Sequence, residues 1–278
     1  LVLIDTKYTY AVARIRALET SLLNSAVIEQ LMACQTDVQC LQLLQEKGWG
    51  DADTPENAEA ILSREQEKIW ETIRDLGVDM SVFDVLSYPN LFHNLKAAIK
   101  DACTSESGKH IYYEDTSISP DEMLEIVRSK DFSRLPKIMS EAAKEAYEAL
   151  LHTRDGQLCD IIIDKAQLEA VYQAGKEAKD SIIKEYAEST VAIADIKIAV
   201  RAQKTAKSME FMKRAMAECE SLSVTQLAKA AVSGMDAIVE YLSQTEYAEG
   251  GRAIAESASA FERWCDNRMM QTMQPQKY

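Results

Sequence analysis

The chain has 278 residues, of which 47% are hydrophobic and 27% charged, and its formal net charge is −14. That length buries a sizeable core, as one large domain or two smaller ones. The acidity disfavours nucleic acid and direct contact with anionic lipid, since phosphate is repelled, whereas a basic protein partner is compatible with it.

No uncharged apolar run reaches the roughly 18 to 20 residues of a membrane span, and the opening "LVLI" is broken by Asp5 and too short for a signal peptide. A soluble, cytoplasmic protein without direct membrane insertion is expected. The cysteines at 34, 40, 103, 159, 219 and 265 show neither CxxC spacing nor histidine neighbours. They read as buried apolar fillers in a reducing compartment.

In chain order, Tyr8 and Tyr10 open a segment whose Ala11, Ile15, Leu18 and Leu22 fall at helical spacing and predict one buried stripe. Arg14 lies on the flank of that stripe and Arg16 points away from it. Further helices are predicted over 37–47, 54–76, 89–103, 119–129, 136–153, 165–186, 188–219, 223–232, 235–246 and 250–270. The segment 188–219 would be about 48 Å long at about 1.5 Å per residue.

The punctuation agrees with helix. Pro55, Pro120 and Pro136 stand where helices start, and Gly48, Gly77, Gly108, Gly156 and Gly234 fall at plausible ends or turns. "SPDE" from Ser119 and "SVTQ" from Ser223 read as capping boxes. "GGR" (250–252) marks a helix start. "HIYYE" (110–114) and "CDIII" (159–163) are candidate extended runs without partner strands. The expected class is all-α.

The opening helix has echoes. Asn94 borders Leu91, Leu95 and Ala98, and Lys197 borders Ile193, Ile196 and Val200, as Arg14 borders its own stripe. The echoes recur at roughly 80 to 100 residues, longer than the roughly 20 to 50 of the common solenoids, so an open stack is not implied.

Three segments carry a family resemblance: "YTYAVARIRALETSLLNSAVIEQLM", "NLKAAIKDA" with the later "ISPDEMLEIVRSKDFSRLP", and "IIIDKAQLEAVYQAGK…VAIADIKIAVRAQK". Together they resemble the C subunit of archaeal-type and bacterial V/A-type rotary ATPases, similar to the d (AC39) subunit of the eukaryotic vacuolar enzyme. Asp164 matches an aspartate just before a helix, and Lys197, Arg201 and Lys204 match the family's Asn-Ile-Lys…Arg-Ala-x-Lys helix. Asp195 departs from the usual asparagine. The sequence stops at "QTMQPQKY", where the family continues into a final helix.

The resemblance implies a funnel-like protein of three pseudo-repeated helical units around a central cavity, with boundaries near 5–85, 86–187 and 188–278. It implies a non-catalytic rotor subunit, peripheral at the inner face of the membrane. Its partners would be the central-stalk subunits and the proteolipid ring, so that ATP turnover is coupled to proton or sodium movement. Candidate partner contacts are then Tyr8, Tyr10, Arg14, Asn94, Lys197 and Arg201.

The tyrosines and cations have a plainer reading: core packing for the former, a snorkelling or salt-bridged helix residue for the latter. No phosphate loop, dinucleotide fingerprint or nucleophile elbow occurs, so neither cofactor nor catalysis is expected. Glu148 and His152, four apart, are at most a two-ligand fragment, and His93 and His110 lack partners in sequence. The alternatives are a generic helical adaptor and, further off, a carboxylate-bridged metal enzyme.

Overall fold

The structure, a computed structural model, describes residues 8–54, 57–103 and 112–274. Those residues are all-α: fourteen α-helices and no strand. Asp5, Pro55, Gly108, His110 and the start of "HIYYE" lie outside them. The chain divides into two compact units, Leu1–Ser81 and Val82–Tyr278.

The first unit holds α1 (Thr9–Glu19), α2 (Ser25–Ala33), α3 (Asp37–Glu46) and α4 (Ala58–Asp75). Asn24, Thr36 and Asn57 cap α2, α3 and α4, each accepting from the N–H three residues on, which satisfies one of the free donors of a helix start. Polar cross-braces hold the turn before α4. Lys68 donates to Gly50 O at 2.6 Å, Gly50 N donates to Glu65 at 2.8 Å, and Arg64 meets Asp51 at 2.6 Å.

The described residues of this unit form no core. Among its described residues only Ile61 is buried. The predicted stripe is not covered, and α1 ends before its last member, Leu22: Ile15, Leu18 and Leu22 are 37%, 44% and 72% exposed. Spacing fixes which residues share a face; burial needs an opposing surface, and α1 buries none of its residues.

The second unit is built on two cores. Around the first pack α5 (Asp84–Cys103), α6 (Pro120–Ser129), α7 (Lys137–Thr153) and α8 (Gly156–Glu177), burying Leu95, Ile99, Met123, Ile126, Met139 and Ile163. Around the second pack α9 (Ser181–Lys204), α10 (Met209–Ala215), α11 (Val224–Ser233), α12 (Met235–Ser243), α13 (Ala248–Glu256) and α14 (Ala258–Met273). Their core includes Ile196, Met212, Leu227, Leu242, Tyr247 and Phe261. Each such side chain contributes about 1.5–3 kcal/mol on burial.

α8 and α9 join the two as a helical hairpin. An added Cβ at Gly175 would lie 2.3 Å from Ala187 Cβ, so only glycine allows this approach. At α13, a Cβ on buried Gly250 would meet the Trp264 ring at 2.6 Å.

Several boundaries differ from expectation. The break between the two long helices falls at 178–180, where Ala178 turns extended and Asp180 caps α9 through Ile182 N, instead of near 187. The long helix then stops at Lys204, where Thr205 Oγ1 donates back to Arg201 O and Ala206 takes φ 51°. Ser208 caps a separate α10, so 188–219 is not one rod. Ser257 likewise divides 250–270 into α13 and α14.

Pro89 lies inside α5, which begins at Asp84. "CDIII" is helical, with Cys159, Ile162 and Ile163 facing the first core, and Asp164 sits within α8 instead of before a helix.

Ser119 and Ser223 cap α6 and α11 as expected, but Glu122 accepts from Arg134 instead of reaching back. Cys159 and Cys265 are buried, and Cys103 and Cys219 pack against the cores. Cys34 and Cys40, half-exposed in the coreless unit, are not fillers.

Candidate partner interface

The expected site residues separate into two kinds, those committed inside the chain and those facing solvent. Asn94 is fully buried on α5. Its Oδ1 accepts from Tyr113 N at 2.9 Å, and its Nδ2 donates to Tyr113 O at 2.8 Å and Thr116 Oγ1 at 3.2 Å. The amide thus clamps the segment that leads into α6, leaving none of its polar capacity for a partner.

A matching residue stands 101 positions on. Asp195 on α9 is fully buried, and its Oδ1 accepts from Ala217 N at 3.1 Å. From each clamped N–H the chain runs six residues to a capping serine, Ser119 or Ser223. Sequence reading noted Asp195 as a departure and missed its role, although the shared "N/D-hydrophobic-Lys" order was the available signal. Burial pushes the Asp195 carboxyl up to about 8; the Ala217 N–H and Lys165 oppose this, and Glu218 adds to it.

The same two helices each carry a lysine two residues past the clamp, Lys96 and Lys197. Lys96 donates to Asp164 at 2.7 Å, and Lys100 lies 2.6 Å from Asp160. On α9, Lys197 meets Glu262 of α14 at 2.8 Å. Partial burial is the largest single influence on the Lys197 ammonium and works to lower it, but the Glu262 hydrogen bond together with the charges of Glu262, Cys265 and Asp266 outweighs it and the net shift is upward. Arg201, in the last turn of α9, is exposed and has no side-chain partner among the described residues.

In the first unit, Tyr8 and Tyr10 are 43% and 63% exposed. Arg14 donates to Tyr10 Oη at 3.2 Å and reaches Asp75 of α4 at 3.4 Å, and both contacts hold its guanidinium above the ordinary value. α1 therefore presents tyrosine rings and uncovered aliphatic residues beside a cation already braced to α4. Of the six expected residues, three lie in the first unit, and in the second Asn94 is internal while Lys197 and Arg201 share one face of α9.

A 610 Å³ cleft in the second unit is lined by Lys176, Lys184 and Arg268 against Glu185, Glu188, Glu220 and Glu246. Glu188 is already engaged with Ser221 N and Oγ, and Arg268 with Glu246. His93 packs edge-on against Tyr113, and Glu148 and His152 stand on α7 without a third ligand. Among the described residues no group of three or more His, Cys, Asp or Glu could hold a metal ion, and no helix is long and apolar enough to cross a membrane.

The described residues thus form an all-α chain with two echoed polar clamps inside and tyrosine and cation side chains exposed on α1 and α9. The family described as ATP synthase (C/AC39) subunit matches residues 11–278, so the chain belongs to that family. It is also similar to the C subunit of the V-type sodium ATPase of Enterococcus hirae, with 21% identity over 191 residues. That match covers 69% of this chain and 58% of the relative, so the chain spans less than two thirds of the relative's length.

Proposed function

We propose that the chain is a non-catalytic central-rotor subunit of a V/A-type rotary ATPase. In this reading it links the central stalk to the membrane proteolipid ring, peripheral at the cytoplasmic face, and so couples ATP hydrolysis or synthesis to proton or sodium transport. The observation that carries it is the family match over residues 11–278. We read the chain as three related helical units, near 5–85, 86–187 and 188–278, surrounding a central hollow; the Asn94 and Asp195 clamps support the relation between the last two.

A part that transmits torque needs stiff helices and broad contacts, with a buried interface above about 1,000 Å². The uncovered aliphatic residues of α1, Val12 and Leu18 at 55% and 44% exposure, supply apolar contact area. The net charge of −14 steers a basic partner, which raises the association rate more than the final affinity.

The test is binding of the purified chain to purified central-stalk subunits. A complex is expected whose on-rate falls as salt rises. No binding by intact full-length protein at low salt sinks the reading. In the assembled complex, omitting the chain should leave ATP hydrolysis by the soluble sector intact but uncoupled from ion transport.

A further inference from the structure

The two charge ladders of the second unit differ by one rung, and the difference falls on Arg201. In the first, Lys96 and Lys100, one turn apart on α5, meet Asp164 and Asp160, one turn apart on α8, at 2.7 and 2.6 Å. In the second, Lys197 meets Glu262 at 2.8 Å and repeats the first rung. Arg201 follows Lys197 by four residues, as Lys100 follows Lys96. Four residues before Glu262, where Asp160 stands relative to Asp164, the chain has Ala258.

Arg201 is therefore a cation at a position built for pairing, with its carboxylate missing. A guanidinium presents five donors in a planar fork that matches a carboxylate in two places at once, which an ammonium does not. The C-terminal turn of α9 favours a cation there but leaves those donors to water.

We infer that Arg201 is the chain's contact for a carboxylate on the partner protein, an Asp or Glu side chain that fills the rung Ala258 leaves open. The inference rests on the functional reading above. On a chain of charge −14 the partner's surface is expected to be basic, so one acid placed against Arg201 fixes register instead of driving encounter. The same charge repels phosphate surfaces, which favours a protein carboxylate over a lipid headgroup.

The test compares Arg201→Ala, Arg201→Lys and Ala258→Asp with the wild-type chain for binding to purified central-stalk subunits and to the isolated proteolipid ring, with circular dichroism on each variant. Ala258 is exposed and opens α14, where an acid is favourable, so Ala258→Asp folds normally and supplies the missing rung internally.

The expected result is about tenfold weaker binding or more for Arg201→Ala, chiefly in the off-rate, an intermediate loss for Arg201→Lys, and a comparable loss for Ala258→Asp, whose carboxylate would stand where the partner's must and repel it. The double variant should bind no worse than Arg201→Ala. Wild-type affinity in both single variants overturns the inference alone. Loss in Arg201→Ala with none in Ala258→Asp overturns the carboxylate and leaves only packing of the stem. Failure of the wild-type chain to bind either component overturns the functional reading and this inference together.

Discussion

The two bundles of the second unit anchor their return segments with different chemistry at the same place. Asn94 brings an acceptor and two donors and uses all three, on Tyr113 N, Tyr113 O and Thr116 Oγ1. Asp195 makes the same first bond, to Ala217 N, but its Oδ2 is buried with no partner. With burial pushing the carboxyl up to about 8, Asp195 keeps its proton through neutral pH. A protonated acid has nearly the shape of an amide, so one clamp is unconditional and the other depends on pH.

The sharpest way to break that comparison is to remove the amide. Asn94→Ala empties a fully buried polar position and takes the side-chain partner from the part-buried Tyr113 N and O, which costs about 2–3 kcal/mol. Chemical denaturation of the two chains measures it. A loss below about 0.5 kcal/mol would mean that water replaces the clamp easily and that Asn94 is not an anchor.

Next in size is the joint between the bundles. Gly175→Ala puts a methyl 2.3 Å from Ala187 Cβ, and since an alanine side chain cannot rotate away, α8 and α9 must separate. A loss of about 1–3 kcal/mol is expected, read by thermal unfolding. Gly175→Ala with Ala187→Gly should recover most of it, and failure to recover would place the strain elsewhere.

Asp195→Asn then makes the two clamps alike. In the unfolded chain the carboxyl ionises near about 3.9, and in the folded chain at about 8. Between those values the folded state holds a proton that the unfolded state has lost. This contribution is therefore fully present below the lower value, declines as pH rises, and is spent above about 8, with a limiting slope of about 1.4 kcal/mol per pH unit.

The facing groups are Lys165 of α8 and, on the clamped segment, Glu218 and Cys219. Asp195→Asn removes the slope, so a variant matched to wild type at pH 5 should be more stable than it by about 3–4 kcal/mol at pH 8. Parallel melting profiles from pH 5 to 9 would rule this out.

Local signals in the sequence carried far. Ser119 and Ser223 announce helix starts because a cap is a contact between residues three apart. Ala178–Lys179–Asp180 hid its break because it holds neither glycine nor proline, and "CDIII" read as extended because a helix packed on several sides loses its periodicity.

The role of Asn94 was out of reach for a different reason. A residue bordering an apolar stripe looks the same whether it faces a partner or clamps a segment, and the deciding neighbour, Tyr113, is nineteen residues away. The pairs Lys96/Lys100 and Asp160/Asp164 are visible as four-residue spacings, but which helix meets which is a long-range fact.

The smallest effect tests whether the two ladders share a register. Lys96 and Lys197 have side chains 23% and 33% exposed, so each ion pair is screened and worth about 0.2–1 kcal/mol. Lys96→Ala leaves Lys100–Asp160 in place, whereas Lys197→Ala leaves α9 with no rung to α14. Ala258→Asp should add a few tenths of a kcal/mol at low salt, from the Arg201 pair and from an acid in the first turn of α14. Only the first part disappears in the Arg201→Ala background, so a double-mutant cycle in low and high salt separates them. A coupling of zero at low salt would show that positions 201 and 258 do not face each other, and the likeness of the two bundles would then end at their clamps.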